Sequence, residues 1–223
     1  MHLKLAALGY DVYIGSNRGT EYCQEHKKYT VDQREYWEWS FAEMGLYDDV
    51  ANIKMIKKKT GHDKIFYLGW SQGTIQMFYA LAHLEDEFLA DSLHRFVALA
   101  PCTVAPVDGL ESYWYGTLYA MPSVGVYDFY GPNWDSEQQT VCDELGQEAC
   151  DYVTCYDCFP MSVQSETHWY QNTYTDRFQE WNPDYLKGKD FRESKLVPID
   201  TIDKVPITMM AGTLDDSCSY EQA

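Results

Sequence analysis

One stretch limits the choice of fold more than any other: Leu68-Gly69-Trp70-Ser71-Gln72-Gly73-Thr74. The apolar run Ile65-Phe66-Tyr67-Leu68 precedes it, and a segment with helical spacing over about residues 72–83 follows. This order predicts a strand, a sharp turn and a helix, with serine at the apex of a G-x-S-x-G pattern. The two glycines allow backbone segments to approach closely around a strained residue. A serine placed this way stands exposed above the strand end. The N–H of Gln72 opens the helix, where it can meet a developing oxyanion. The functional expectation is a nucleophile at Ser71; the bland alternative is a plain strand-to-helix connection. Five residues alone discriminate weakly, and the strand and helix around them carry the argument.

The rest of the first hundred residues reads as alternating strand and helix. Tyr10-Asp11-Val12-Tyr13-Ile14 is β-branched and aromatic between glycines, which predicts a short strand, and Asn17-Arg18-Gly19 supplies turn chemistry after it. Met1–Leu8 is too briefly apolar for a signal peptide and reads as the end of a core helix. Ser40 and Glu43 fit the capping box S-x-x-E. Leu46, Val50, Ile53 and Ile56 follow at helical spacing, Lys57–Lys59 sit where a helix dipole favours cations, and Gly61 is suited to end the helix. Phe96-Val97-Ala98-Leu99 predicts a buried strand closed by Pro101, and Pro206–Ala211 another. The alternation indicates an α/β fold with a mostly parallel sheet covered on both faces.

Residues 105–190 break that pattern. They carry Tyr113-Trp114-Tyr115, Tyr127-Asp128-Phe129-Tyr130, Trp134 and a cluster of cysteines. We expect a cap inserted over the strand ends, where such sheets bind ligands. Its rings suit either contact with acyl chains or a small core of the cap's own. The expected organisation is a first core part at 1–104, the cap at 105–190, and a return to the core at 191–223.

Charge excludes one class of partner. The 223 residues have a formal net charge of −18 and a pI near 4.5. Nucleic acid binding needs clustered Lys and Arg, so it is not expected. No run is long and apolar enough to span a bilayer. Seven cysteines leave at least one unpaired. Cys142, Cys150, Cys155 and Cys158 lie close together, and disulfides within the cap are the expected arrangement, ahead of free thiols or a zinc site. Cys23, Cys102 and Cys218 are scattered and point to no role.

Several motifs resemble one family, the acid lipases of the gastric and lysosomal type, within the α/β-hydrolase superfamily. They are Ala6–Gly19, Trp39-Ser40-Phe41-Ala42-Glu43-Met44, Gly69–Thr74 and Ala98-Leu99-Ala100-Pro101. The likeness is dense over 5–104, thin through the middle, and returns at 167–182 and 206–223. Trp70 departs from it, since the family usually carries His there. The resemblance implies a serine lipase or carboxylic-ester hydrolase of lipid catabolism, secreted or lysosomal, needing no cofactor or metal. Triacylglycerols, sterol esters or their interface with water would be its partners. Gly212-Thr213-Leu214-Asp215 matches the position of the catalytic acid, which gives Asp215 that role, with Asp216 as fallback. Gln72 N–H would supply half of the oxyanion hole.

The resemblance also implies parts that these residues do not hold. The hydrolase order is Ser, then acid, then His. His168 precedes the acid and is rejected as base, and all six histidines lie upstream of Asp215. A strand between those at Tyr10–Ile14 and Ile65–Leu68, with the second oxyanion donor after it, has no candidate, and the last strand is missing too. The expectation is therefore a fragment, nearly inert as written. A non-catalytic lipid-binding homologue and an esterase for small soluble esters are the alternatives.

Overall fold

The computed structural model describes residues 1–84, 87–104, 117, 120–131, 134–147, 150, 160–187, 190–215 and 218. Its centre is a parallel sheet of β1 (Ile65–Trp70), β2 (Leu93–Leu99) and β5 (Ile207–Met210), side by side in that order. Trp70 pairs with Leu99, and Leu99 with Met210, so the three carboxyl ends finish level at one rim. Between β1 and β2 run α4 (Gln72–His83) and the short α5 (Phe88–Ser92). The helix predicted over 72–83 occupies those residues.

Ser40 starts the helical run before β1. Its Oγ accepts from Ala42 N, and Glu43 Oε2 accepts from Ser40 N at 2.7 Å, completing the capping box. The run passes through α2 (Phe41–Glu43), a π-helical stretch at Met44–Asp49, and α3 (Val50–Thr60), and Gly61 closes it with φ of 74°. The wider turn has a steric partner. A Cβ on Gly45 would lie 2.1 Å from the carbonyl oxygen of Gln76 in α4, so glycine here lets the two helices touch backbone to backbone.

The core forms where this layer meets the sheet. Phe41, Ile53, Ile75, Met77, Leu89, Leu93, Phe96 and Phe178 are buried together. Phe96 meets Phe78 and Tyr67 edge to face at 5.0 and 5.5 Å. Each such pair contributes about 1 kcal/mol beyond the area it buries. Phe66, Leu68 and Trp70 alternate to the other side of the sheet and are exposed, so the cover expected on both faces is present on one among the described residues.

Between residues 105 and 190, β3 (Asp128–Phe129) pairs antiparallel with β4 (Met161–Ser162), and α6 (Trp134–Leu145) and α7 (Val163–Thr175) form. Met121, Val126, Phe129, Trp134, Val141 and Val163 form a cluster of their own. Of the rings named from sequence, Phe129, Tyr130 and Trp134 serve that small core. Tyr113, Trp114 and Tyr115 lie outside the described residues.

Three sequence expectations are corrected. Tyr10–Ile14 forms no strand and joins no sheet. A strand needs a ladder partner for its N–H and C=O groups, and no described strand pairs with this segment. The helix His2–Ala7 (α1) forms but buries none of its residues, so it is no core helix. Cys102 and Cys218, which pointed to no role, are joined by a disulfide across 116 residues. Cys142 and Cys150 form a disulfide within residues 105–190, which removes two of the four thiolates a zinc site would need. Cys155 and Cys158 lie outside the described residues, and Cys23 is free.

Candidate active site

Ser71 has φ of 51° and ψ of −119°. A non-glycine residue at positive φ stores strain of order 1–3 kcal/mol and persists only where its surroundings over-determine it. Here they do. Ser71 N donates to Leu99 O at 3.0 Å, fixing the serine to the end of β2. Ser71 O accepts from both Thr74 N and Thr74 Oγ1 at 2.7 Å. A Cβ on Gly69 would sit 2.4 Å from Gly73 O, so strand and helix pass each other at a distance no side chain allows. Ser71 is left partly exposed at the rim. Gln72 is the first residue of α4, and its N–H is one of the four that a helix start leaves without an intrahelical partner. Its side chain is held between Trp169 Nε1, which donates to Oε1 at 3.0 Å, and the sulfur of Met44.

Behind the turn lies a buried polar network that the sequence did not reveal. Tyr67 Oη stands 3.1 Å from Gly73 O and 3.1 Å from Asp49 Oδ2. Gln76 Nε2 donates to Asp49 Oδ1 at 2.8 Å, and Asn17 Nδ2 donates to Gln76 Oε1 at 3.1 Å. Desolvation raises Asp49 to a pKa of about 7 against the weaker pull of Gln76 and Tyr67. The proton count agrees with that direction. Tyr67 has one proton for two acceptors, and a protonated Asp49 supplies the second one. Asp48, the neighbour of Asp49, takes the guanidinium of Arg18 at 2.7 Å and its backbone N at 2.9 Å. The π-helical stretch thus presents successive carboxyls to the elbow and to the loop after residues 10–14.

Asp215 lies five residues beyond the end of β5, at the same rim as Ser71. Asp215 N donates to Gly212 O at 3.3 Å, and its Oδ1 accepts from Cys218 N at 3.0 Å. The strands bearing the two loops are separated only by β2, so the strand ends stand about 10 Å apart at ordinary sheet spacing. The fallback, Asp216, lies outside the described residues.

The histidines are engaged elsewhere. His168 is fully buried, stacked on Phe41 with ring centroids 4.1 Å apart. Its Nε2 faces Gln179 O and its Nδ1 faces Ser40 Oγ, each at 2.9 Å. A carbonyl only accepts, so Nε2 carries the proton and Nδ1 takes one from the serine. Burial lowers its pKa to about 4, which suits a neutral ring that holds α7 to the start of α2. His83 ends α4, about 18 Å along the helix from Ser71. It pairs with Glu180 at 2.5 Å, and that contact raises its pKa. His2, His26, His62 and His94 are exposed.

The profile of the alpha/beta hydrolase fold family matches residues 3–146. This chain belongs to the α/β-hydrolase family. Among relatives, lipase lipl-3 of Caenorhabditis elegans is 31% identical over 74% of this chain and 42% of its own length. The lysosomal acid lipase/cholesteryl ester hydrolase of Macaca fascicularis is 36% identical over 67% of this chain and 36% of its own. The human protein of the same name is 35% identical over the same shares. The chain is an acid-lipase-like α/β hydrolase, and it spans less than half the length of these relatives. Among the described residues of this chain, no helix is long and apolar enough to cross a membrane. No group of three or more His, Cys, Asp or Glu among them is placed to hold a metal ion.

Proposed function

We propose that Ser71 is the nucleophile of a serine carboxylic-ester hydrolase acting on water-insoluble esters, triacylglycerols or sterol esters, through an acyl-enzyme. The observation that carries this reading is the strained serine, with φ of 51°, at the tip of a turn where a side chain at residue 69 would collide with Gly73 O. Such strain is kept where it aims a functional side chain. Ser71 Oγ attacks the ester carbonyl, and the N–H of Gln72 meets the resulting oxyanion. Asp215 orients the base and stabilises its protonated form. The alcohol leaves, and water then releases the fatty acid. The relatives' printed names include cholesteryl ester hydrolase, which supports a lipid ester as the substrate class.

The proposal assigns the base to no residue of this sequence. His168 and His83 are committed to Gln179 with Ser40 and to Glu180. Losing the base from a serine hydrolase costs on the order of 10⁶ in turnover. The rival reading, a lipid-binding homologue without chemistry, draws on the same two engaged histidines. The test is hydrolysis of emulsified triolein and cholesteryl oleate by the natural full-length protein. Ser71→Ala should reduce it to background, and full activity in that variant would reject the proposal. A rate that rises above substrate solubility supports a lipase over an esterase for small soluble esters.

A further inference from the structure

The two loops that hold Ser71 and Asp215 are joined by an unbroken chain of contacts. Thr74, fully buried in the first turn of α4, donates its hydroxyl to Ser71 O at 2.7 Å. The same Oγ1 accepts from Cys102 N at 3.1 Å. Cys102, three residues past the end of β2, is buried and disulfide-bonded to Cys218. Cys218, also buried, donates its backbone N–H to Asp215 Oδ1 at 3.0 Å.

We propose that Thr74, Cys102 and Cys218 are positioning residues that set the placement of Asp215 relative to the Ser71 elbow. The inference rests on Ser71 and Asp215 acting as nucleophile and acid. Two features give it weight. Asp215 sits in a loop beyond the last described strand, beside the exposed residues Gly212, Thr213 and Leu214, so its own turn makes a weak anchor. The disulfide fastens that loop to β2, the strand whose Leu99 O already holds Ser71 N. Both catalytic loops are thus referred to the end of one strand. Thr74 closes the circuit because a single hydroxyl both donates and accepts, which valine cannot do and serine can. Reduction of the bridge by a dithiol supplies two electrons and two protons, leaves two thiols, and frees the Asp215 loop from β2.

The experiment uses the natural full-length protein. Four forms are compared with wild type: Cys102→Ser/Cys218→Ser, Thr74→Val, Thr74→Ser, and Cys142→Ser/Cys150→Ser as control. A displacement of about 1 Å in a catalytic group costs roughly 100-fold. The first two variants should lose kcat by about that factor with KM within threefold. The acid-side limb of kcat/KM should also move to lower pH, because a displaced Asp215 no longer favours the protonated base. Thr74→Ser should restore both, and the Cys142→Ser/Cys150→Ser control should match wild type. Treating that control with dithiothreitol should reproduce the loss reversibly. If the double cysteine variant does not fold, Thr74→Val and the reduction carry the measurement. Wild-type kcat and an unmoved pH limb in folded Thr74→Val, or in the reduced control, overturn the brace while Ser71→Ala still abolishes activity. Activity surviving Ser71→Ala overturns the catalytic reading and the brace with it.

Discussion

Replacing Asp49 with Asn gives the most quantitative prediction. Asp49 is buried among Tyr67, Gln76 and Asn17, with Asp48 beside it in sequence, and burial raises its pKa to about 7. In the unfolded chain it is about 3.9. A native pKa above the unfolded one contributes stability that is complete below about pH 3.9 and lost as pH rises through about 7. Over that interval the native state binds one more proton, and stability changes by about 1.4 kcal/mol per pH unit. Between pH 5 and pH 7 the site titrates to half, so the protein should be about 2 kcal/mol more stable at pH 5 on this account alone. For a chain of this size that is about 4–8 °C in Tm. Burial also raises Asp128 to about 8 and Glu166 to about 7, which act in the same sense, while His168, lowered to about 4, opposes them. The difference between wild type and Asp49→Asn isolates one group. Asn is neutral at every pH, and its NH₂ can give Tyr67 the hydrogen bond that a protonated Asp49 gives. The variant should therefore match wild type near pH 5 and exceed it near pH 7. Thermal or urea unfolding at half-unit steps from pH 5 to 7.5 reads this directly. Parallel curves for the two proteins would refute a raised Asp49.

Other perturbations have equally definite outcomes. Gly45→Ala places a methyl 2.1 Å from Gln76 O and forces α4 away from the π-helical stretch, lowering stability by about 1–3 kcal/mol in urea unfolding. Phe96→Ala empties the contact with Phe78 and Tyr67 and should cost about 3–5 kcal/mol in the same assay. Thiol titration of the denatured, unreduced protein should find at most three groups, since two disulfides consume four of the seven cysteines; five or more would contradict them. The bridge spanning 116 residues should stabilise more than the one spanning 8, about 5 against about 2.5 kcal/mol in the chain-entropy account.

What the sequence made legible is what local rules govern. Ser40 with Glu43, the lysines at the end of α3, Gly61 at positive φ and Gly69 before Ser71 each act within a few residues, and each formed as its chemistry required, whereas Gly73, expected to matter equally, would admit a side chain. Tyr10–Ile14 has the composition of a strand, yet composition cannot supply the neighbour that makes one. The Tyr67–Asp49–Gln76 network was invisible because its members are up to 27 residues apart and each has an ordinary surface role in sequence. Cys102 and Cys218 looked scattered for the same reason: 116 residues separate them, and only the level ends of β2 and β5 bring them together. One signal was available. Thr74 stands three residues after Ser71, where a threonine hydroxyl reaches back to a carbonyl at a helix start.

The central claim is that the hydroxyl of Ser71 reacts because of where the turn holds it. The most direct measurement treats the natural full-length protein with a fluorophosphonate and maps the modified peptide by mass spectrometry. The account predicts one phosphonylated residue, Ser71, with labelling and lipid-ester hydrolysis lost together. An adduct on another residue, or hydrolysis that continues after Ser71 is fully labelled, would contradict it.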